Sequence, residues 1–130
     1  MKIEKAVYDA LIAHAQKELP NECCGYLAAK DGLVVKHYEL YNTDQSPEHY
    51  SMDPKDQFNT VRGIRDEGMQ VAAVYHSHPE TPARPSIEDI DLAYDPTISY
   101  VIISMAEAQP YAKSFKIKKG EVAPEEFTIL

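Results

Sequence analysis

The stretch QVAAVYHSH, residues 70–78, sets the strongest limit on what this chain can fold into. Val71, Ala72, Ala73, Val74 and Tyr75 are apolar without a break. A strand made of them has apolar side chains on both faces, so it belongs in the middle of a sheet with a layer on each side. The run ends abruptly in His76-Ser77-His78. The question is what two histidines one residue apart do at the end of a buried strand.

The flanking segments supply the layers. Residues 3–18 carry Ile3, Val7, Leu11 and Ala15 at four-residue steps, which predicts an amphipathic helix stopped by Pro20. CCGYLAA (23–29) predicts a buried strand. The Asp31-Gly32 pair predicts a hairpin turn, and LVVKHYEL (33–40) the return strand. After a polar loop, Asp53 and Pro54 form the start signal of a second helix that Gly68 closes. Phe58, Val61 and Ile64 are its expected apolar stripe. A helix beginning near Ser86 and ending before Pro96 should follow the histidine strand. Then come SYVIIS (99–104) as a buried strand and a hairpin of YAKSFKIK with EVAPEEFTIL. The expected class is α/β with a mixed sheet.

Composition narrows the function classes. The 130 residues match the size of one domain, and 44% hydrophobic residues suffice for a packed core. Twenty-one acids against thirteen basic residues give a net charge of -8, which disfavours nucleic acid or anionic lipid as partner. The only basic cluster, Lys116, Lys118 and Lys119, is short and lies in the expected hairpin. No apolar run approaches the ~20 residues of a membrane span, and the charged N-terminus does not read as a signal peptide. Cys23 and Cys24 are adjacent, a geometry that strains a disulfide. They read as small buried hydrophobes in a reducing, cytoplasmic compartment.

Residues i and i+2 of a strand share a face. His76 and His78 therefore project together and can converge on one ion at about 2.0–2.1 Å. Asp89, in the first turn of the helix that starts at Ser86, is an available oxygen ligand. The intervening loop holds Pro79, Pro82 and Pro85 and is stiffened by them. Two histidines, a carboxylate and water form a hydrolytic zinc arrangement. Ser86-x-x-Asp89 is also a plain capping box, and capping would hold Asp89 rigid. Spacing alone does not choose Asp89 over Asp91. His14, His37 and His49 read as surface or core-edge side chains. A hydrolytic zinc needs a base for its water; Glu22, just before an apolar strand, is available but by itself reads as a loop acid.

His76-Ser-His78-Pro79, six residues, Ser86, two residues and Asp89 reproduce the H-x-H-P-x6-S-x2-D signature, and the chain resembles the JAMM (MPN-plus) metalloproteases. PNECCGYL resembles the family's glutamate-bearing segment, with Glu22 in that place. The resemblance spans the chain and implies a curved mixed sheet flanked by helices, similar to the cytidine deaminases but without their own H-x-E and P-C-x-x-C signature. It implies zinc held by His76, His78 and Asp89, choosing Asp89 over Asp91. Glu22 would be the base, and Ser86 a donor to the oxyanion.

The implied reaction is hydrolysis of the peptide or isopeptide bond after the C-terminal glycine of a ubiquitin-like protein. The compact chain is similar to small prokaryotic members, several of which act on β-grasp sulfur carriers or release a newly made cysteine. An extended tail is expected to pair with a sheet edge, with the loop from Asn42 to Asp53 as a groove wall. Two other readings stand beside the enzyme: a catalytically silent module that binds ubiquitin-like tails, and a zinc peptidase for an unrelated peptide.

Overall fold

A computed structural model describes residues 1–130. The elements run β1 (Lys2–Ile3), α1 (Lys5–Glu18), β2 (Cys24–Lys30), β3 (Leu33–Leu40), α2 (Pro54–Asp66), β4 (Gln70–His78), α3 (Ile87–Asp91), β5 (Ser99–Ser104), β6 (Tyr111–Lys118), β7 (Glu121–Glu125) and β8 (Thr128–Ile129). The strands form one mixed sheet in the order β7-β6-β5-β4-β2-β3-β1-β8. The apolar run of β4 lies in its interior, antiparallel to β2 and parallel to β5. Register shifts in β2, at Leu27/Ala28 against β4 and Ala28/Ala29 against β3, bend and twist the sheet.

One face packs on α1, where Val7, Leu11 and Ala15 meet Leu27, Tyr75 and Val101. The other face is shared. Ile64 of α2 packs with Cys24, Tyr26 and Ala28. Ala83 and the partly buried Ile90 cover Ile102, Phe115 and Ile117. Burying each large apolar side chain stabilises the fold by roughly 1.5–3 kcal/mol, so covering both faces of β4 is the dominant contribution to its central position. The β2–β3 turn has Asp31 and Gly32 at φ 52° and 81°, the two positive values a type I′ hairpin needs.

Several expectations are corrected. Ile3 is not helical: it lies in β1, which pairs in parallel with β3 and β8. The chain's last residues thus return to its first, a long-range pairing with no local signal. Phe58 is 64% exposed rather than part of a buried stripe. It lies about 120° around the helix from Ile64 and points off the contact face. His14 is buried, with Nδ1 2.8 Å from the Tyr75 hydroxyl. It completes the α1 face formed by Val7, Leu11 and Ala15. Helix α3 is a single short turn, capped at Leu92. The chain then turns at Asp95, whose Oδ1 accepts the Thr97 N–H at 2.9 Å. No helix is long and apolar enough to cross a membrane.

Candidate metal centre

The two histidines close β4 at its C-terminal end, on the face shared by α2 and α3. Both are buried, at 4% and 6% exposure. Their Nε2 atoms lie 3.1 Å apart. Asp89 Oδ2 stands 3.2 Å from His76 Nε2 and 3.1 Å from His78 Nε2. Asp91 has no such contact; the three-donor cluster consists of His76, His78 and Asp89.

Local structure explains the convergence. Ser86 caps α3: its Oγ accepts the Asp89 N–H at 3.0 Å, and its own N–H donates to Asp89 Oδ2 at 2.9 Å. The box is fully formed and pins the carboxylate. The proline loop contributes directly, because the Pro82 carbonyl lies 2.9 Å from His78 Nδ1. With Nδ1–H donated there, the Nε2 lone pair faces the centre.

Three donor atoms thus meet within 3.2 Å of one another. A tetrahedral ion bonded at about 2.0–2.1 Å holds its ligands about 3.3–3.4 Å apart, close to the separations here. Two imidazole nitrogens and a carboxylate oxygen suit a small divalent cation. Electrostatics agree. Burial disfavours the Asp89 carboxylate, but His76, His78 and the Ser86 N–H outweigh it and hold the group ionised well below the usual range. Burial lowers the His78 pKa, but hydrogen bonds to Asp89 and the Pro82 carbonyl outweigh burial and raise it. A cation can replace that proton.

Glu22 is 5% exposed and comes beside the centre through strand register. Cys24 pairs with His76, and the Ser77 N–H donates to the Cys23 carbonyl at 3.1 Å. Glu22, two residues before Cys24, is therefore aligned with His78. Burial pushes its carboxyl up to about 8, against the attraction of His78. The polar loop holds its backbone: Glu22 N–H donates to the Ser46 carbonyl at 2.9 Å, and Asn42 Nδ2 donates to the Glu22 carbonyl at 3.0 Å.

Two residues of the polar loop, expected only as part of a groove wall, have individual parts at this site. Asn42 is buried and ties the loop together, donating to the His49 carbonyl at 3.0 Å and accepting from Asp44 and Ser51 N–H at 3.0 and 3.1 Å. Tyr50 stacks on the His76 ring. Asn42 works mainly within its own loop and reaches Glu22 from there, whereas Tyr50 meets His76 only through the fold. At the ligands β4 is flanked by β2 and β5, and the edges β7 and β8 are three and four strands away.

Residues 4–118 match the family described as prokaryotic homologs of the JAB domain. The CysO-cysteine peptidase of Mycobacterium tuberculosis is 31% identical over 131 aligned positions, covering 98% of this chain and 90% of that protein. The desampylase of Pyrococcus furiosus is 29% identical over 102, covering 78% and 73%. Among solved structures, protein DSY2949 from Desulfitobacterium hafniense superposes with a TM-score of 0.89 at 48% identity, covering 100% of this chain and 93% of that one. The JAB1/MPN domain protein AF2198 from Archaeoglobus fulgidus shares the fold, with a TM-score of 0.69 at 21% identity and coverage of 100% and 99%. Matched over nearly its whole length in sequence and in fold, the chain belongs to the prokaryotic homologs of the JAB domain.

Proposed function

We propose that the protein is a zinc metallopeptidase that hydrolyses the bond after the C-terminal glycine of a ubiquitin-like or β-grasp sulfur-carrier protein. The observation that carries this reading is the convergence of His76, His78 and Asp89 within 3.2 Å of one another. It stands in a chain similar over nearly its full length to a CysO-cysteine peptidase and over most of it to a desampylase.

His76 Nε2, His78 Nε2 and Asp89 Oδ2 would hold the zinc. When bound, zinc supplies Lewis acidity that polarises a carbonyl and acidifies water. The chain's own residues do the rest. Glu22 takes the proton from the attacking water and delivers it to the leaving amine. Burial raises its carboxyl pKa, which suits a group that takes up a proton and hands it on. Ser86 Oγ already accepts the Asp89 N–H, so its hydroxyl hydrogen remains free to donate to the developing oxyanion. The capping box that steadies the ligand also aims the hydroxyl. A leaving amine can be that of a free amino acid, an extended tail or a lysine side chain; all are the same chemistry at the bond.

The test is cleavage of a β-grasp carrier bearing a short extension after its terminal Gly-Gly, read by mass. Hydrolysis after the last glycine is expected with zinc-loaded protein. Glu22→Gln should retain zinc and lose at least about a hundredfold in rate, the usual worth of a positioned general base. A Glu22→Gln protein that cleaves as fast as wild type removes Glu22 from that role.

A further inference from the structure

Beside the metal centre lies a cleft of ≈ 720 Å³ on the α2 side of the sheet. Gln57, Val61 and Arg65 of α2 stand at four-residue steps and form one wall. Val71 and Val74 of β4 lie in the floor, and Leu92 and Tyr94 line the opposite side. None of the three ligands lines the cleft, but Tyr50 does, and its ring stacks on His76 at 4.7 Å between centroids. One end of the cleft thus lies beside the centre, with the Tyr50 ring shared between them. The other is marked by Arg65 and Gln70, which come together because the turn at Gly68 (φ 77°) folds α2 back onto the start of β4.

Arg65 is exposed. Arg62, on the next face, pairs with Asp66 at 3.8 Å, while Arg65 has no carboxylate within ion-pair distance. Asp95 lies in the same cleft and is a charged carboxylate held by the Thr97 N–H at 2.9 Å, but it is beyond ion-pair distance of Arg65. In a chain of net charge -8, an unpaired guanidinium at the end of a largely apolar cleft is a complementary charge for an acid.

We propose that this cleft receives the extended C-terminal tail of the substrate, and that Arg65 selects a tail with an acidic side chain about six residues ahead of the scissile bond. The proposal rests on the reading above. The position follows from strand geometry. From His76 to Val71 is five residues along β4, about 17 Å at roughly 3.3 Å per residue. A tail extended over that floor, with its last glycine at the centre, sets its sixth residue beside Arg65. The middle of the cleft, walled by Val61, Val74 and Leu92, takes an apolar side chain. The stacked Tyr50–His76 pair narrows the near end and favours glycine there.

The test uses the peptides Xaa-Ala-Leu-Ala-Gly-Gly-Cys, with Glu, Gln or Lys first and a fluorophore on the cysteine. Zinc-loaded wild-type protein gives kcat/KM, and Glu22→Gln protein gives affinity by fluorescence polarisation without turnover. The Glu peptide should exceed the Lys peptide about fivefold in both readouts, the range of a partly solvated ion pair. Arg65→Glu should reverse the order while melting temperature and zinc content stay unchanged. Moving the glutamate to the third position should abolish its advantage.

Equal treatment of Glu and Lys overturns the selection, even if every peptide is cleaved; the proposed function then survives. A Glu preference in binding without any cleavage overturns the proposed function and leaves the cleft assigned. Peptide affinity that falls as protein concentration rises, with dimers in sedimentation, gives the cleft to a second copy. No binding up to millimolar peptide overturns the proposal.

Discussion

The ring of Tyr50 stacks on the imidazole of His76, with centroids 4.7 Å apart and planes at 24°. Nothing in the histidine signature points to Tyr50, which lies 26 residues upstream in a polar loop. The stack fixes the plane of the imidazole and so the direction of the Nε2 lone pair. Tyr50→Ala frees that plane and should weaken metal binding about tenfold, the lower range for residues supporting a ligand. Tyr50→Phe preserves the stack and should bind as wild type. Competition with a chromophoric chelator measures both. Equal affinity in Tyr50→Ala and wild type removes the ring from metal positioning.

Asp89 has two duties that substitutions can separate. Its Oδ2 faces both histidines and also accepts the Ser86 N–H. Asp89→Asn retains an oxygen for the cap but loses the charge, so metal per chain should fall sharply while the chelated protein melts near wild type. Asp89→Ala loses the cap as well, costing about 1 kcal/mol more. Elemental analysis reads the first effect. Thermal unfolding in chelator reads the second, because no metal then contributes to stability.

Gly25 sits where the sheet has no room. A Cβ there would meet the Tyr38 carbonyl oxygen at 2.2 Å and the Tyr75 ring and hydroxyl at 2.6 Å. The Tyr38 obstacle is backbone, and Tyr75 is fully buried and bonded to His14. Gly25→Ala should therefore cost about 2–3 kcal/mol through overpacking, read as a lowered denaturant midpoint at unchanged slope. Because β2 aligns Glu22 with the histidine strand, activity should fall too. A variant as stable as wild type would mean the strands separate more easily than this packing allows.

Much of this fold and site is legible in the chain. β3, β4 and β5 fall within the segments expected for them, because runs of β-branched and apolar residues are bounded by strong turn signals. The caps at Asp53 and Ser86 lie where their residue types predict. What fails is what depends on distant partners. The two-residue strands β1 and β8 exist only through each other and β3. Phe58 has the right chemistry for a stripe, but α2's contact face is set by what the sheet offers. His14 reads as surface or core-edge because its partner, Tyr75, is 61 residues away. The spacing of the centre is visible because loop and cap are local. The polar loop is legible as a wall, but not its contacts: Tyr50 meets His76, and Asn42 meets Glu22, only once the chain has folded.

Far from the centre, Glu125 offers a pH test of the sheet's other end. Its Oε1 accepts from the Ser99 and Ser114 hydroxyls, each at 2.6 Å. Burial opposes the charge, but these two bonds and the nearby Lys116 outweigh it and hold the carboxyl below the usual range. A carboxylate with a lowered folded-state pKa stabilises the fold above its unfolded pKa, about 4.3. That contribution is lost as pH falls through the folded value. Glu125→Gln should therefore be less stable than wild type at pH 7, by about 1 kcal/mol after discounting for solvent. The gap should shrink as pH falls below the unfolded value and close once it has passed through the lower folded one. Melting curves of both proteins across that range, taken in chelator, give the comparison. A gap that is constant with pH would mean the hydroxyls hold the neutral side chain as well as the charged one.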